Sequence, residues 1–402
     1  MGGKASLLLV LGFSLIMLYY SLNLNKLSVS ATNNSTEHYK AGIAKVIAKS
    51  GLNLAASNLS RNTAWVPNSP YSYMGKDNLF ITVRDSLGTK IVTSKGTFHN
   101  ISKTVEIKIT IASFSEYAYF SNIEGNIWWT GKDSVFGPFH TNDDIQVHNH
   151  PFFAGPSTSH GGIVKYYNSK EADEPTIVGK YTPGIKIDIP TDGISGLSTH
   201  ASGSGHVFSG HSEVFLEFAG DSLRYKFNAA DPYTTVLASS FASNGVIYVD
   251  NGNLRIKGVV KGKWSIGSNK SVYIDDDIVY SQIPDPKDKY DPSNDLLGIL
   301  AKNKVLVTDN AANNSDINIC ASIYCEEGGF TAENYNSRPV SGKINLIGGI
   351  IQQKRGAVGT FISGGTVTHG FSKNYKYDSR LLRLVPPYFP STNTFKIISW
   401  LE

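Results

Sequence analysis

The stretch His140-Thr-Asn-Asp143-Asp144-Ile-Gln-Val-His148-Asn-His150 is the best candidate for a metal-binding cluster in this chain. In an extended strand, residues two apart point to the same side, so His148 and His150 would share a face. Joined by His140 or Asp143, they would offer three nitrogen and oxygen donors, a set that zinc or copper accepts. The competing reading is a polar turn, in which His140-Thr141-Asn142 satisfies its own backbone through short side-chain hydrogen bonds. The helical spacing His-Glu-x-x-His is absent. A turn is therefore the default for His140, Asp143, His148 and His150, and a metal site the sharper alternative.

The carboxylates give less. Asp275, Asp276 and Asp277 would suit calcium only if all three converged, and strand alternation turns Asp276 away from the other two. Glycoside cleavage needs two carboxylates flanking one bond, roughly 5–5.5 or 6.5–9.5 Å apart. Asp143 and Asp144 are adjacent and would face opposite ways. Trp128, Trp129 and Tyr166 could stack on a sugar ring, but paired tryptophans as readily pack in a core. Lys354 and Arg355 could face an acidic partner or form a solvated turn. Cys320 and Cys325 in ICASIYC are too few for a zinc site. They would bridge if a tight turn brought their Cα atoms within reach, and otherwise would be two buried thiols. No neighbouring His or Lys would activate either thiol. Gly-x-Ser-x-Gly, a phosphate-binding loop and a Gly-x-Gly-x-x-Gly opening a helix are all missing. The sequence thus names no catalytic residue and no cofactor.

The elements behind these residues follow from composition. Of 402 residues, 41% are hydrophobic and 17% charged, enough apolar surface to offset the entropy of ordering a large body. Gly (38), Tyr (21) and Phe (19) favour turns and strands. A net charge of +4, with no long run of one sign, gives no footing for nucleic acid.

From Ala5 to Asn25 no residue is charged, and the core of this segment is LLLVLGFSLIMLYY. As a helix it would span about 30 Å, the hydrocarbon thickness of a bilayer. Leu7, Leu8, Leu9, Val10, Leu11, Phe13, Leu15, Ile16 and Leu18 would face lipid, with Tyr19 and Tyr20 near the interface. Ser28-Val29-Ser30-Ala31 could serve as a secretory cleavage site. The Ala-rich residues 37–60 continue with helical spacing, however, and Ile43, Val46, Ile47, Leu52, Leu54, Ala55 and Leu59 mark an apolar stripe. An uncleaved helix with a polar break at Thr32–Ser35 is expected.

This segment, an apolar helix followed by HYKAGIAKVIAKSGLNLAASNL, resembles bacterial pilin-like and pilus-assembly proteins. The resemblance covers about residues 1–60. It implies anchorage in the inner membrane, with the bulk outside the cytoplasm, and association with other envelope or pilus-like subunits. Pilins carry Glu at the fifth position of the mature helix, whereas the residues five beyond Gly2 and Gly3 are Leu7 and Leu8. An accessory or simply anchored protein therefore fits better than a major pilin.

Residues 61–76 read as a linker. NLFITVRD and KIVTSKGTF, separated by Ser86-Leu87-Gly88, and then TVEIKITIASF predict a small antiparallel sheet over 77–120. Across 121–402, short runs such as GVIYVD, NLRIKGVV, KWSIGS, KVLVT and KINLIGGIIQQ recur between Gly, Asn and Asp. Residues 165–200 and 281–298 look like polar excursions. Single Asn or Gly corners favour a β-solenoid over the alternative, a β-sandwich. GPFHTNDDIQV, SVYIDDDIVY, GGIIQQKRGAVG and YDSRLLRLVPPYFP resemble, in order, an uncharacterised bacterial family that often carries the same pilin-like start. The expected product is a mainly β, membrane-anchored, non-enzymatic structural or assembly protein. Trp128, Trp129 and Trp264 are its candidate contact or core aromatics, and a carbohydrate-binding or carbohydrate-cleaving surface protein is the alternative.

Overall fold

The computed structural model describes residues 2–402 apart from 63, 87–88, 132, 168–169 and 363–365. The chain is mainly β with one long N-terminal helix, and it divides into two compact units. The first comprises residues 1–112 and 393–402, the second 113–392.

In the first unit the helix Gly2–Arg61 runs unbroken for 60 residues, straight through Thr32–Ser35. The hydroxyls of Thr32 and Thr36 donate to the carbonyls four residues back, which lets polar residues sit mid-helix without a break. Its second half buries Ala44, Ile47, Ala48, Leu52, Ala55 and Leu59. These recur every three or four residues and so share one face. Val46 and Leu54, expected on that stripe, are exposed. The buried face meets Leu79, Ile81, Val92, Val105, Ile107 and Ile109 of a sheet ordered Tyr71–Tyr73, Lys76–Ser86, Thr89–Phe98, Ile101–Ser113, Ser391–Leu401. The expected strand alternation around Val105, Ile107 and Ile109 is thus what packs. The turn at Leu87 and Gly88 lies outside the described residues, while the strands on either side pair antiparallel. The last strand was not foreseen in this sheet. Glu402 at its end pairs with Lys45 and Lys49 at 2.5 and 2.6 Å.

In the second unit, successive passes of chain stack in parallel register. Ile247 pairs with Ile266, Ile266 with Ile299, Ile299 with Ile323 and Ile323 with Ile350. All are buried, so one column of isoleucines runs through the core. The column continues through Tyr119 and Phe139, which belong to the start of the unit. Spatial order therefore departs from chain order: the early pass, residues 119–183, stacks on the late one, residues 340–376. A second column makes the same jump, from Ile319 and Leu346 through Tyr375 to Val135 and Phe153. Between the two columns, Gly348 holds φ +148°, and a Cβ there would overlap the Ala321 carbonyl. The corner thus requires glycine. An amide ladder lies alongside: Asn374 donates to Asn345 (2.7 Å), Asn345 to Asn318 (3.3 Å) and Asn318 to Asp277 (2.9 Å).

Residues 165–200 are not a polar excursion. They hold the strands Thr176–Ile177 and Tyr181–Pro183, which pair in parallel with Phe152–Phe153 and Ser157–Ser159. Helix Gly193–Ser204 buries Ile194, Leu197 and Ala201 against Val246, Leu300 and Tyr324. The segment 281–298 is likewise partly interior. Asp295 accepts from the amides of Gly262 (2.7 Å) and Gln282 (3.0 Å), and the buried strand Leu296–Ala301 follows.

Candidate functional site

The histidines first singled out do not form one cluster. His140 is buried on strand Phe139–Thr141, with Nδ1 2.7 Å from the Thr158 hydroxyl and Nε2 2.9 Å from Asn142 Oδ1. Burial lowers its pKa, with the Asn142 hydrogen bond opposing. Asp143 accepts from the amides of Glu124 and Asp144, both at 2.9 Å. His148 ends its strand beneath Tyr166, with ring centroids 4.6 Å apart. Asn149 and His150 then take φ of 55° and 57°, which ends the alternation that would have given His148 and His150 a common face. His150 Nδ1 lies 2.8 Å from the Glu174 carbonyl instead. Among the described residues no three His, Cys, Asp or Glu side chains gather as a metal site.

Of the two readings of the cysteine pair, the bridge is not formed. Cys320 and Cys325 occupy one continuous strand, Ile317–Cys325, and are free and buried. Five extended residues span about 16 Å, more than twice the reach of a disulfide. Burial pushes the Cys320 thiol up to about 11 and the Cys325 thiol up to about 12. Of the tryptophans, Trp129 and Trp264 are core, and Trp128 lies edge-on to Tyr166 at 5.0 Å.

Sequence reading missed a buried charge cluster where the early pass meets the late one. Ile350, Gln352 and Lys354 pair with Tyr119, Ser121 and Ile123. Just past each strand, Arg355 Nη1 donates to Glu124 Oε2 at 2.7 Å, with both side chains buried. Glu124 also accepts from Tyr119 (3.0 Å), Trp129 Nε1 (3.1 Å) and the Ser121 hydroxyl. The Arg355 guanidinium lies 3.9 Å from the Trp129 ring centre. Lys373 pairs with Asp133 at 2.8 Å, and burial lowers its pKa against the pull of that aspartate. The pair Lys354-Arg355, read as a surface feature, is thus half interior. Each charge faces an opposite one, and Glu124 also gathers neutral donors while Arg355 Nη1 reaches the Ile127 carbonyl at 3.0 Å, which offsets much of the cost of keeping these ions out of water. Of this cluster, Arg355 Nη2 alone is buried without a hydrogen-bond partner among the described residues. This cluster joins two parts of the chain 231 positions apart; Glu124 is fully buried, while Arg355 also reaches the lining of a cavity beside Gly356 and Tyr335.

A second polar constellation is open. On the outward side of strands Glu213–Gly220, Asn253–Val260 and Val272–Tyr280 lies a groove of about 670 Å³. Arg255 pairs with Asp275 at 2.9 Å and sits 5.6 Å from the Phe215 ring and 4.8 Å from that of Tyr273. Asp275 also accepts from the Thr308 hydroxyl at 2.7 Å. Its pKa is raised by burial, against the Thr308 hydrogen bond and the charge of Arg255. A register shift at Ile256–Gly258 accompanies an Asp run in which Asp275 and Asp276 both line the groove. Asp277 turns to the asparagine ladder. Strict alternation had put Asp275 with Asp277; the irregular register undoes it.

The third feature is apolar. Leu7 through Leu27 of the helix are bare, with Leu7 72% and Leu18 56% exposed. By length and composition this one helix could cross a membrane.

Residues 78–162 match the model of a family described as a domain of unknown function (DUF4900). No curated protein matches the chain. Among solved structures it is similar to the competence-associated pilin ComZ from Thermus thermophilus, at 12% identity and a TM-score of 0.34. That similarity covers 90% of this chain and 97% of the other.

Proposed function

We propose that the protein is a non-catalytic, membrane-anchored component of the bacterial cell envelope, an accessory pilin-like subunit whose β body stands outside the cytoplasm. The observation that carries this reading is the contrast within one helix. Its second half buries Ile47, Leu52 and Leu59 completely or nearly so, whereas its first half leaves every large apolar side chain from Leu7 to Leu27 bare. At about 25 cal/mol per Å² of apolar surface, such a run is strongly unfavourable in water. Lipid, or the helices of other subunits, removes that cost.

The body is read as a β-solenoid, and the columns of in-register isoleucines and the asparagine ladder support this over a sandwich. Such a stack satisfies its backbone internally and presents long, stiff faces to neighbouring subunits. The polar clusters fit that role, since the most deeply buried one holds the stack together.

The test is fractionation of cells expressing the full chain. Carbonate-washed membranes should retain it, and the double substitution Leu11→Lys and Leu15→Lys should release it. Recovery of the unaltered chain in the soluble fraction would refute the proposal.

A further inference from the structure

The open groove has the composition of a sugar site. Phe215 and Tyr233 line it, with the Lys226 ammonium 5.4 Å from one ring centre and 4.7 Å from the other. A pyranose presents an apolar C–H face and a rim of hydroxyls that both donate and accept. Aromatic rings cover the first, and charged groups make the stronger hydrogen bonds to the second. Its volume of about 670 Å³ falls within the range of ligand-binding clefts, about 300–1,000 Å³.

The walls are purpose-built. Strands Ser222–Lys226 and Thr234–Leu237 leave the parallel stack as antiparallel additions, and the chain between them carries Tyr233 over the groove. Opposite, the segment after Thr308 is pinned from beneath. Asn310 donates to the Asp275 carbonyl at 2.8 Å, Asn313 to the Ile274 carbonyl at 2.9 Å, and the buried Arg338 to the Asn313 carbonyl at 2.8 Å. This wall is therefore held in place before a ligand arrives, which lowers the entropic cost of binding.

Other occupants fit less well. Acidic and basic side chains alternate along the floor, so a polyanion finds no field of one sign. A peptide would seek an open strand edge. The floor strand Asn253–Val260 is paired on both sides and offers none.

We propose that this groove binds a neutral oligosaccharide. The inference is independent of the anchor, because every group it uses lies in the second unit.

The experiment is calorimetry on the full chain in a zwitterionic, sugar-free detergent, titrated with cellohexaose, laminarihexaose, maltohexaose and N-acetylated chitohexaose. Saturable one-to-one binding of at least one is expected. Tyr233→Ala should weaken it at least tenfold, while Tyr233→Phe stays within about twofold and Tyr290→Ala, on a separate exposed loop, leaves it unchanged. Should Tyr233→Ala melt earlier than the parent chain, Lys226→Met provides the same tenfold test. No binding of any of the four would overturn the proposal. So would binding that survives both substitutions, or binding only of polygalacturonate or duplex DNA.

Discussion

Burial decides what Cys320 and Cys325 can do. A thiol reacts as its thiolate, and with values near 11 and 12 almost none forms at pH 8. Iodoacetamide at pH 8 should leave both cysteines of the folded chain unmodified and alkylate both in denaturant; rapid labelling of the native protein would contradict the buried strand. The same burial raises the phenols of Tyr119, Tyr280, Tyr324, Tyr375 and Tyr377. For groups whose folded pKa is raised, the folded state holds its protons longer. Their stabilisation is full below the unfolded values, about 8.5 for Cys and about 10 for Tyr, and is lost as pH rises through the folded ones. Lys373 and Arg338, whose pKa values burial lowers, push the other way but are two groups against these seven. Denaturant midpoints should therefore hold steady to about pH 8 and fall progressively above it. At this scale the sequence was a poor guide. Nothing in the spacing of Glu124 and Arg355 reveals a contact across 231 positions, whereas His140 and Asp143, close together in sequence, serve separate hydrogen bonds.

At the scale of elements, the alternation of Val105, Ile107 and Ile109 and the short runs beginning GVIYVD and KWSIGS were legible, because strand period and turn residues are local properties. The placement of Ser391–Leu401 beside Ile101–Ser113 was not, because pairing partners are not encoded locally. One long-range signal does lie in the sequence: Asn318, Asn345 and Asn374, spaced 27 and 29 residues apart, mark successive passes. The helix depends on a close crossing. A Cβ on Gly96 would lie 2.5 Å from the Ala48 nitrogen, so Gly96→Val should destabilise the chain by about 1–3 kcal/mol in denaturant titration. Between passes, Arg355→Met strands Glu124 in the interior and should cost about 3–5 kcal/mol. Adding Glu124→Gln keeps an acceptor for Tyr119 and Trp129 while removing the charge, so the double variant should be more stable than the sum of the two single effects. Additive effects would show that the pair is not coupled.

For the whole molecule, the stacking of residues 119–183 on residues 340–376 means that the early strands, which also pair with one another, meet their partners across this seam only after most of the chain has been made. The charged cluster sits at that late-formed seam. The mainly β body and the apolar helix could be read from composition and hydropathy; the reversal of order could not, since each pass looks like any other. The proposed function requires that the first half of the helix be solvated by something other than water. Lipid-borne photolabelling of the full chain in vesicles, followed by peptide mapping, tests this most directly. The label should fall between Leu7 and Leu27 and leave residues 113–392 clean. Label spread over the β body, with none on the helix, would contradict it.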